Sequence, residues 1–370
     1  MAAYAQDPAA EIQPLEPAPS NEDGQLVDES AQLWFVELAS PPAVDGTSQA
    51  NLTKEKQAFR ADAKRKGVVF EERFAFGTLW NGLSIRAGSA QLEALQTVAG
   101  VKAIYPVATI AIPETSQSLP ELSTALAMTG VDVAQAELGL TGAGIKVAVM
   151  DTGIDYNHPD LGGCFGTGCR VALGWDFVGD DYNADETSPA YNPITAPDND
   201  PDDCNGHGTH VSGIVGASGD PAAGGARGVA PGVTFGAYRV FGCDGSTTAD
   251  IMIAAMERAR ADGMNVLNMS IGSAFTWPQY PTATASDHLV ESGIGMVVVA
   301  SIGNSGASGV YSAGAPGLGE KVIGVASFDN TDIALNVFTI SPDGTKIGYG
   351  PAAAAPTPPT SGSLPMARTG

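Results

Sequence analysis

Apolar residues in the first hundred positions come in short runs separated by turn residues. Five segments follow this pattern: a strand LWFVELASP, a helix from Asn51 to Gly67, a hairpin VVFEERFAFGTLWNGLSIRAG with WNGL as its turn, a short helix SAQLEALQTVAG, and a strand VKAIYPVATI. The order β-α-β-β-α-β predicts a small α+β domain of ferredoxin-like type over residues 32–108.

From about residue 125 the apolar runs become continuous and rich in β-branched residues, which is typical of strands buried on both faces. Five such runs are IKVAVM (145–150), VTFGAYRV (233–240), MNVLNMS (264–270), GMVVVA (295–300) and KVIGVA (321–326). Helical patterns lie between them: GTHVSGIVGAS, TADIMIAAMERARADG and ASDHLVESG. The alternation predicts an α/β fold with a doubly wound parallel sheet, whose active sites gather at the carboxyl ends of the strands.

Charge is distributed unevenly along the 370 residues, whose formal net charge is −23. Residues 32–108 hold nine Lys/Arg against seven Asp/Glu, whereas residues 109–370 hold nine against 27. An acidic chain is a poor partner for nucleic acid because phosphates repel it. The sequence contains no run of about 18 apolar residues, so it predicts no membrane span. Residues 1–31, with seven acids and no base, are predicted to be disordered, and 109–124 to be a linker.

Four cysteines, Cys164, Cys169, Cys204 and Cys243, leave two interpretations. An even number in turn-like loops favours two disulfides and a secreted protein. A zinc site is the alternative, although the spacings do not match a zinc ribbon. The sequence AYA before Gln6 is similar to the end of a signal peptide without its basic and apolar parts, but a chance alanine cluster gives the same letters.

Polar residues at three predicted strand ends or helix starts are candidates for chemistry. Asp151 ends the run IKVAVM, and a charge there is costly unless paired; a turn aspartate is the alternative. His207 and His210 lie at a predicted helix start, and the two glycines beside His207 leave its ring uncrowded. Asn304 follows a strand, where an amide can donate a hydrogen bond to a developing oxyanion.

These residues lie in motifs that resemble those of the subtilisin-like serine proteases (subtilases). The motifs are VAVMDTGIDYNHPDL (147–161), NGHGTHVSG (205–213), NVLNMSIG (265–272) and VVVASIGNSG (297–306). The resemblance covers residues 125–330, and residues 32–108 resemble the family's inhibitory prodomain. It implies polypeptide substrates, maturation by cleavage in the linker 109–124, and inhibition by the chain's own prodomain.

The resemblance assigns a role to each matched residue. His207 would be the general base, Asp151 would orient its imidazole, and Asn304 would stabilise the oxyanion. His210 would be structural, and His158 and His288 are interpreted as surface residues. The residues expected to bind substrate are Gly245, Ser246, Ser270, Ile271, Gly272, Ser301, Ile302 and Gly303.

Two further features are implied by the same resemblance. Cys204 would pair with Cys243, as in some thermostable relatives; Cys164 and Cys169, apart from the resemblance, would close the small loop CFGTGC. Asp160 matches a position that ligates calcium in many relatives, and the acidic run 198–203 adds carboxylates. A solvated acidic loop is the alternative to a calcium site.

The family's nucleophile motif, Gly-Thr-Ser-Met-Ala, is absent from residues 305–370. Ser363 lacks the motif's order, and residues 331–370 resemble the start of a protease-associated insert. We therefore expect an N-terminal portion of a secreted serine endopeptidase zymogen, inactive alone because the serine is missing. A natural, inactive subtilase-fold peptide-binding module is the alternative, and a metal hydrolase using Asp151 and His207 is a weaker one.

Overall fold

The computed structural model describes residues 32–113, 122–223, 225–291, 293, 295–331, 336–349 and 362. The predicted disordered segment 1–31, most of the central part of the linker, and Ser363 lie outside the described residues. No helix in the described part of the chain is long and apolar enough to cross a membrane.

The N-terminal domain is a four-stranded antiparallel sheet with two helices, and its order β2-β3-β1-β4 is the one that the ferredoxin-like pattern predicts. Its elements are β1 Leu33–Leu38, α1 Gln49–Arg65, β2 Glu71–Phe76, β3 Gly82–Arg86, α2 Leu92–Gln96 and β4 Val101–Pro106. The helix α1 begins two residues before the predicted Asn51 because the Ser48 hydroxyl accepts a hydrogen bond from the Asn51 N–H. The predicted turn WNGL is displaced: the connection between β2 and β3 covers residues 77–81, and Gly82 and Leu83 belong to β3.

The predicted strand VKAIYPVATI divides into two elements. After β4, the chain continues as β5 Thr109–Ala111, which leaves the N-terminal sheet. It pairs instead with β9 Ser246–Thr248, with Ile110 opposite Thr247. The N-terminal domain is therefore tied to the larger body by a strand.

The larger body contains the predicted parallel sheet, with the order β14-β12-β10-β6-β8-β7. Its strands are β6 Lys146–Asp151, β7 Val171–Asp176, β8 Thr234–Arg239, β10 Val266–Met269, β12 Val297–Ser301 and β14 Ile323–Val325. The α/β prediction is confirmed. The edge strand β7 is not among the predicted strands, and its pairing with β8 is irregular between Val171 and Leu173.

Helices cover both faces of this sheet. They are α3 Leu122–Thr129, α4 Val131–Ala136, α5 His207–Gly216, α6 Ala249–Ala261 and α7 Pro281–Glu291. Along β6, Ala148 and Met150 join one core with α6 and α7, while Val147 and Val149 join another with α5. Two short antiparallel pairs complete the strands: β11 Ser273–Ala274 pairs with β13 Gly314–Ala315, and β15 Asn336–Ile340 forms a hairpin with β16 Thr345–Tyr349.

The N-terminal sheet packs on the larger body with one face. In β1, Trp34 and Val36 belong to the domain's own core, whereas Phe35 joins the core formed with α6 and α7. The alternation of side chains along a strand thus gives the domain two buried faces.

Candidate active site

The strands β6, β10 and β12 are parallel neighbours, so their carboxyl ends meet at one edge of the sheet. Asp151 is the last residue of β6, the segment 270–272 follows β10, and Asn304 comes three residues after β12. The topology therefore brings the residues from three separate motifs to the same edge.

Asp151 and His207 form a hydrogen-bonded pair. The distance from His207 Nδ1 to Asp151 Oδ1 is 2.6 Å, Asp151 is fully buried, and His207 is 8% exposed. Asp151 Oδ1 also accepts the N–H of Thr152 at 2.8 Å. Because Nδ1 faces the carboxylate, the other ring nitrogen, Nε2, is left for a reacting partner.

Glycines bring the histidine to the carboxylate. His207 is the first residue of α5, and Gly206 before it has a φ of 107°, which favours glycine. A side chain on Gly208 would place its Cβ 2.1 Å from the Gly153 carbonyl oxygen. The helix start can therefore approach the end of β6 only because position 208 has no side chain.

Burial and charge act on the pair in opposite directions. Burial raises the pKa of Asp151 above its usual range, although the bond to His207 opposes this effect. Burial disfavours protonation of His207, yet the hydrogen bond and charge of Asp151, together with the charge of Asp203, outweigh it and raise the pKa of His207. The imidazolium is therefore favoured at this position, as a general base requires when it takes up a proton.

The residues predicted to bind substrate lie on segments that follow β8, β10 and β12 along the chain. The Gly245 carbonyl accepts the Ile112 N–H at 3.1 Å, and Ser246 belongs to β9, which holds β5. Ser270 and buried Ile271 follow β10, and a Cβ on Gly272 would lie 2.8 Å from the Ala315 carbonyl. Ser301 ends β12, followed by Ile302, Gly303 with a φ of 103°, and exposed Asn304.

The other histidines do not join the pair. His210 is exposed on α5, and His158 Nδ1 accepts the Asp160 N–H at 3.2 Å. The interpretation of His288 as a surface residue is wrong. Its ring is largely buried, with Nδ1 2.5 Å from the Leu79 carbonyl and Nε2 3.3 Å from Asp45, both in the N-terminal domain.

Both cysteine pairs are bonded, Cys164 to Cys169 and Cys204 to Cys243. The second bond joins the loop before His207 to the loop after β8. The buried guanidinium of Arg239 lies 3.0 Å from Cys204 Sγ and pairs with Asp176 and Asp180. Asp176, the last residue of β7, and Asp180, in the loop after it, are therefore each engaged in an ion pair.

The acidic side chains do not by themselves fit a calcium ion, which takes six to eight oxygens. In the described residues, Asp180, Cys204 and Cys243 are the one group of three ligand side chains close together, and both sulfurs are in the disulfide. Asp160 Oδ2 accepts the Ala226 N–H at 2.7 Å. Calcium binding by Asp160 stays a prediction.

Two residues of the site were missed from the sequence. The Thr152 hydroxyl accepts the Gly208 N–H at 2.8 Å, and Asp203 accepts hydrogen bonds from the first turn of α5. In the sequence, Asp203 stands as one acid in a run. Its place four residues before His207, at a predicted helix start, was the available signal, because a carboxylate there can accept the free N–H groups of the first turn.

Comparison with known proteins identifies the relatives of this fold. The sequence model of the Subtilase family matches residues 142–363. The minor extracellular protease Vpr of Bacillus subtilis (strain 168) is 37% identical over 290 residues, which is 75% of this chain and 32% of that protein. Subtilisin DY of Bacillus licheniformis is 37% identical over 203 residues, covering 54% of this chain and 61% of that protein.

A solved structure has a similar fold. The crystal structure of the epidermin leader peptide processing serine protease (EpiP) from Staphylococcus aureus superposes with a TM-score of 0.54 at 23% identity, covering 80% of this chain and 69% of that one. The matches span between about a third and three fifths of the two curated relatives' own lengths. With the family model matching more than half of its residues, this chain belongs to the subtilase family.

Proposed function

We propose that this chain forms the acid–base part of the active site of a secreted serine endopeptidase, held as a zymogen by its own N-terminal domain. The observation that carries the proposal is the 2.6 Å hydrogen bond between buried Asp151 and His207 at the carboxyl edge of the sheet. A serine nucleophile would complete the site; the Gly-Thr-Ser-Met-Ala motif is absent from residues 305–370.

Each residue has a defined part in peptide-bond hydrolysis. His207 Nε2 takes the proton of the serine hydroxyl as that oxygen attacks the substrate carbonyl, and later returns the proton to the leaving amine. Asp151 accepts the Nδ1–H, which fixes the ring orientation and stabilises the imidazolium. The Asn304 amide donates a hydrogen bond to the oxyanion of the tetrahedral intermediate.

The pairing of β5 with β9 supports inhibition by the N-terminal domain. The Ala249 N–H donates to the Ala108 carbonyl at 3.0 Å, and the Ile112 N–H donates to Gly245. The segment 108–112 thus lies as an added strand on the edge that would hold a substrate backbone. A substrate and the segment 108–112 would therefore compete for the same strand edge.

The direction of this strand supports cleavage in the linker. Because the pairing is antiparallel, the chain after Ile112 heads toward Asp244 and Cys243. The Cys243 carbonyl accepts a hydrogen bond at 3.0 Å from Asn205, two residues before His207. We therefore expect the maturation cleavage C-terminal to Ile112, within residues 109–124.

Secretion is supported by two observations. Both cysteine pairs are in disulfides, which persist in oxidising compartments. The relative from Bacillus subtilis is described as extracellular.

The test is to read the gene beyond codon 370 and to express the complete product. An open frame reaching a Gly-Thr-Ser-Met-Ala motif, with peptide hydrolysis that His207→Ala reduces by several orders of magnitude, is the expected result. N-terminal sequencing of the mature form would then locate the cleavage. A mature N-terminus at or before Ile112 would contradict the strand argument.

The alternative is an inactive peptide-binding module, and the observation in its favour is that the β9 edge already binds a peptide segment. A stop codon directly after residue 370, with peptide binding that depends on β9, would favour this alternative.

A further inference from the structure

Two threonine hydroxyls connect the segment that carries Asp151 to the helix that carries His207. From the strand side, Thr152 Oγ1 accepts the Gly208 N–H of α5 at 2.8 Å. From the helix side, Thr209 Oγ1 accepts the Asp155 N–H at 2.8 Å. The two bonds run in opposite directions, so they brace the two segments against each other.

One carboxylate orients both hydroxyls. Thr152 Oγ1 donates to Asp203 Oδ1 at 3.0 Å, and Thr209 Oγ1 donates to Asp203 Oδ2 at 2.6 Å. A hydroxyl has one hydrogen. When it donates this hydrogen to Asp203, its lone pairs remain to accept an N–H from the opposite segment. Two acceptor oxygens are needed at position 203, one for each hydroxyl.

The same carboxylate holds the start of α5. Asp203 Oδ1 accepts the N–H groups of Asn205 and Gly206, and Oδ2 accepts that of Thr209, each at 2.9 Å. Although burial alone would raise the pKa of Asp203, the hydrogen bonds from Thr209, Gly206 and Asn205 outweigh it and hold the pKa below its usual range. Asp203 is therefore ionised wherever His207 titrates.

We infer that Asp203 is a positioning residue, which aligns His207 with Asp151 by orienting the hydroxyls of Thr152 and Thr209. The inference rests on the proposed role of His207 as the general base. The charge of Asp203 also acts directly on His207, and the pKa of the ring reports that effect. The positioning acts through the two threonines and the helix start, and the exchange of the His207 Nδ1 proton reports whether the alignment is kept.

The first experiment replaces the charge and one acceptor with Asp203→Asn. Asparagine keeps the shape but offers one acceptor oxygen, so one arm of the brace is lost. In the full chain labelled with ¹⁵N-histidine, we expect the pKa of His207 to fall by on the order of half a unit, and its Nδ1 proton to exchange faster with water.

The control is Asp200→Asn, which makes the same change of charge three residues away, where the carboxylate accepts the Tyr156 hydroxyl at 2.5 Å. We expect this variant to titrate like the wild type. Equal effects of the two variants would show a general effect of charge and overturn the inference.

The second experiment leaves the charge unchanged. Thr152→Val removes the hydroxyl, whereas Thr152→Ser keeps it. We expect faster exchange of the His207 Nδ1 proton in the valine variant and wild-type behaviour in the serine variant. Wild-type behaviour in Thr152→Val would overturn the inference, and this pair decides it even if Asp203→Asn does not fold.

None of these measurements depends on peptide hydrolysis. The complete gene product could cleave no peptide while its His207 ring still responds to the substitutions as expected. That result would reject the proposed function and leave the positioning role of Asp203 intact.

Discussion

The buried carboxylate of Asp151 and the burial of His207 act on the imidazole in opposite directions, and the carboxylate prevails. Removing the carboxylate's charge separates the two effects. In Asp151→Asn, burial remains while the opposing charge and the charged hydrogen-bond acceptor are gone.

We therefore predict that the pKa of His207 lies above about 6.5 in the wild type and falls below about 6.5 in Asp151→Asn. An NMR titration of the four histidine rings measures both values, with exposed His210 as the internal control. A higher pKa in Asp151→Asn would contradict the assignment of the pair. As a base must be neutral, activity of the complete enzyme should rise as pH passes through the wild-type value.

Two glycines of α5 allow a matched comparison at the same scale. A Cβ at Gly208 would lie 2.1 Å from the Gly153 oxygen, whereas a Cβ at Gly213 would meet nothing within 4 Å. We predict that Gly208→Ala lowers the free energy of unfolding by roughly 1–3 kcal/mol through overpacking. Gly213→Ala should be neutral or stabilise by up to about 1 kcal/mol. Denaturant unfolding checks both, and equal effects would contradict the close approach of α5 to β6.

At the scale of elements, the two disulfides close loops of different length. Cys204 and Cys243 are 39 positions apart, and Cys164 and Cys169 are five apart. On the chain-entropy estimate, removing the first bond by double Cys→Ser substitution costs about 4 kcal/mol of unfolding free energy and removing the second about 2 kcal/mol. Denaturant unfolding of the two double variants measures the difference. A larger loss from the short loop would show that local packing, not loop closure, dominates.

The parallel sheet could be predicted because five of its strands are continuous apolar runs, which burial on both faces requires. β7 could not, since VALGWD lies at the sheet edge and contains Gly174. The pattern does not separate β5 from β4, because the letters VATI extend the same apolar run. Only the pairing of β5 with β9, more than 130 residues later, distinguishes it.

The residues of the candidate site could be predicted where each one lies in a motif that is recognisable by itself. Asp151, His207 and Asn304 lie in recognisable stretches at strand ends or a helix start. Thr152 and Asp203 do not stand out, because their role depends on a contact between residues 51 positions apart. A run of acids gives no indication which member is buried against a hydroxyl.

At the scale of the whole molecule, the N-terminal domain and the larger body share a buried ion pair. Arg73 Nε lies 2.9 Å from Asp250 Oδ2 in α6, and Asp250 is fully buried. The Ser84 hydroxyl of β3 also donates to this carboxylate at 2.5 Å. The slightly basic domain thus contacts the acidic body through a specific carboxylate.

Removing the arginine would leave the Asp250 charge buried without its partner. We predict that Arg73→Met lowers the free energy of unfolding of the full chain by about 3–5 kcal/mol. The matched control is Arg60→Met: Arg60 pairs with Glu72 within the N-terminal domain at 2.7 Å, where both side chains are about a third exposed. That pair should contribute at most about 1 kcal/mol. Denaturant unfolding compares the two variants, and limited proteolysis of the linker reports release of the domain. Similar losses would mean that charge is not what holds the domain on the body, and that the apolar face containing Phe35 is sufficient to hold it.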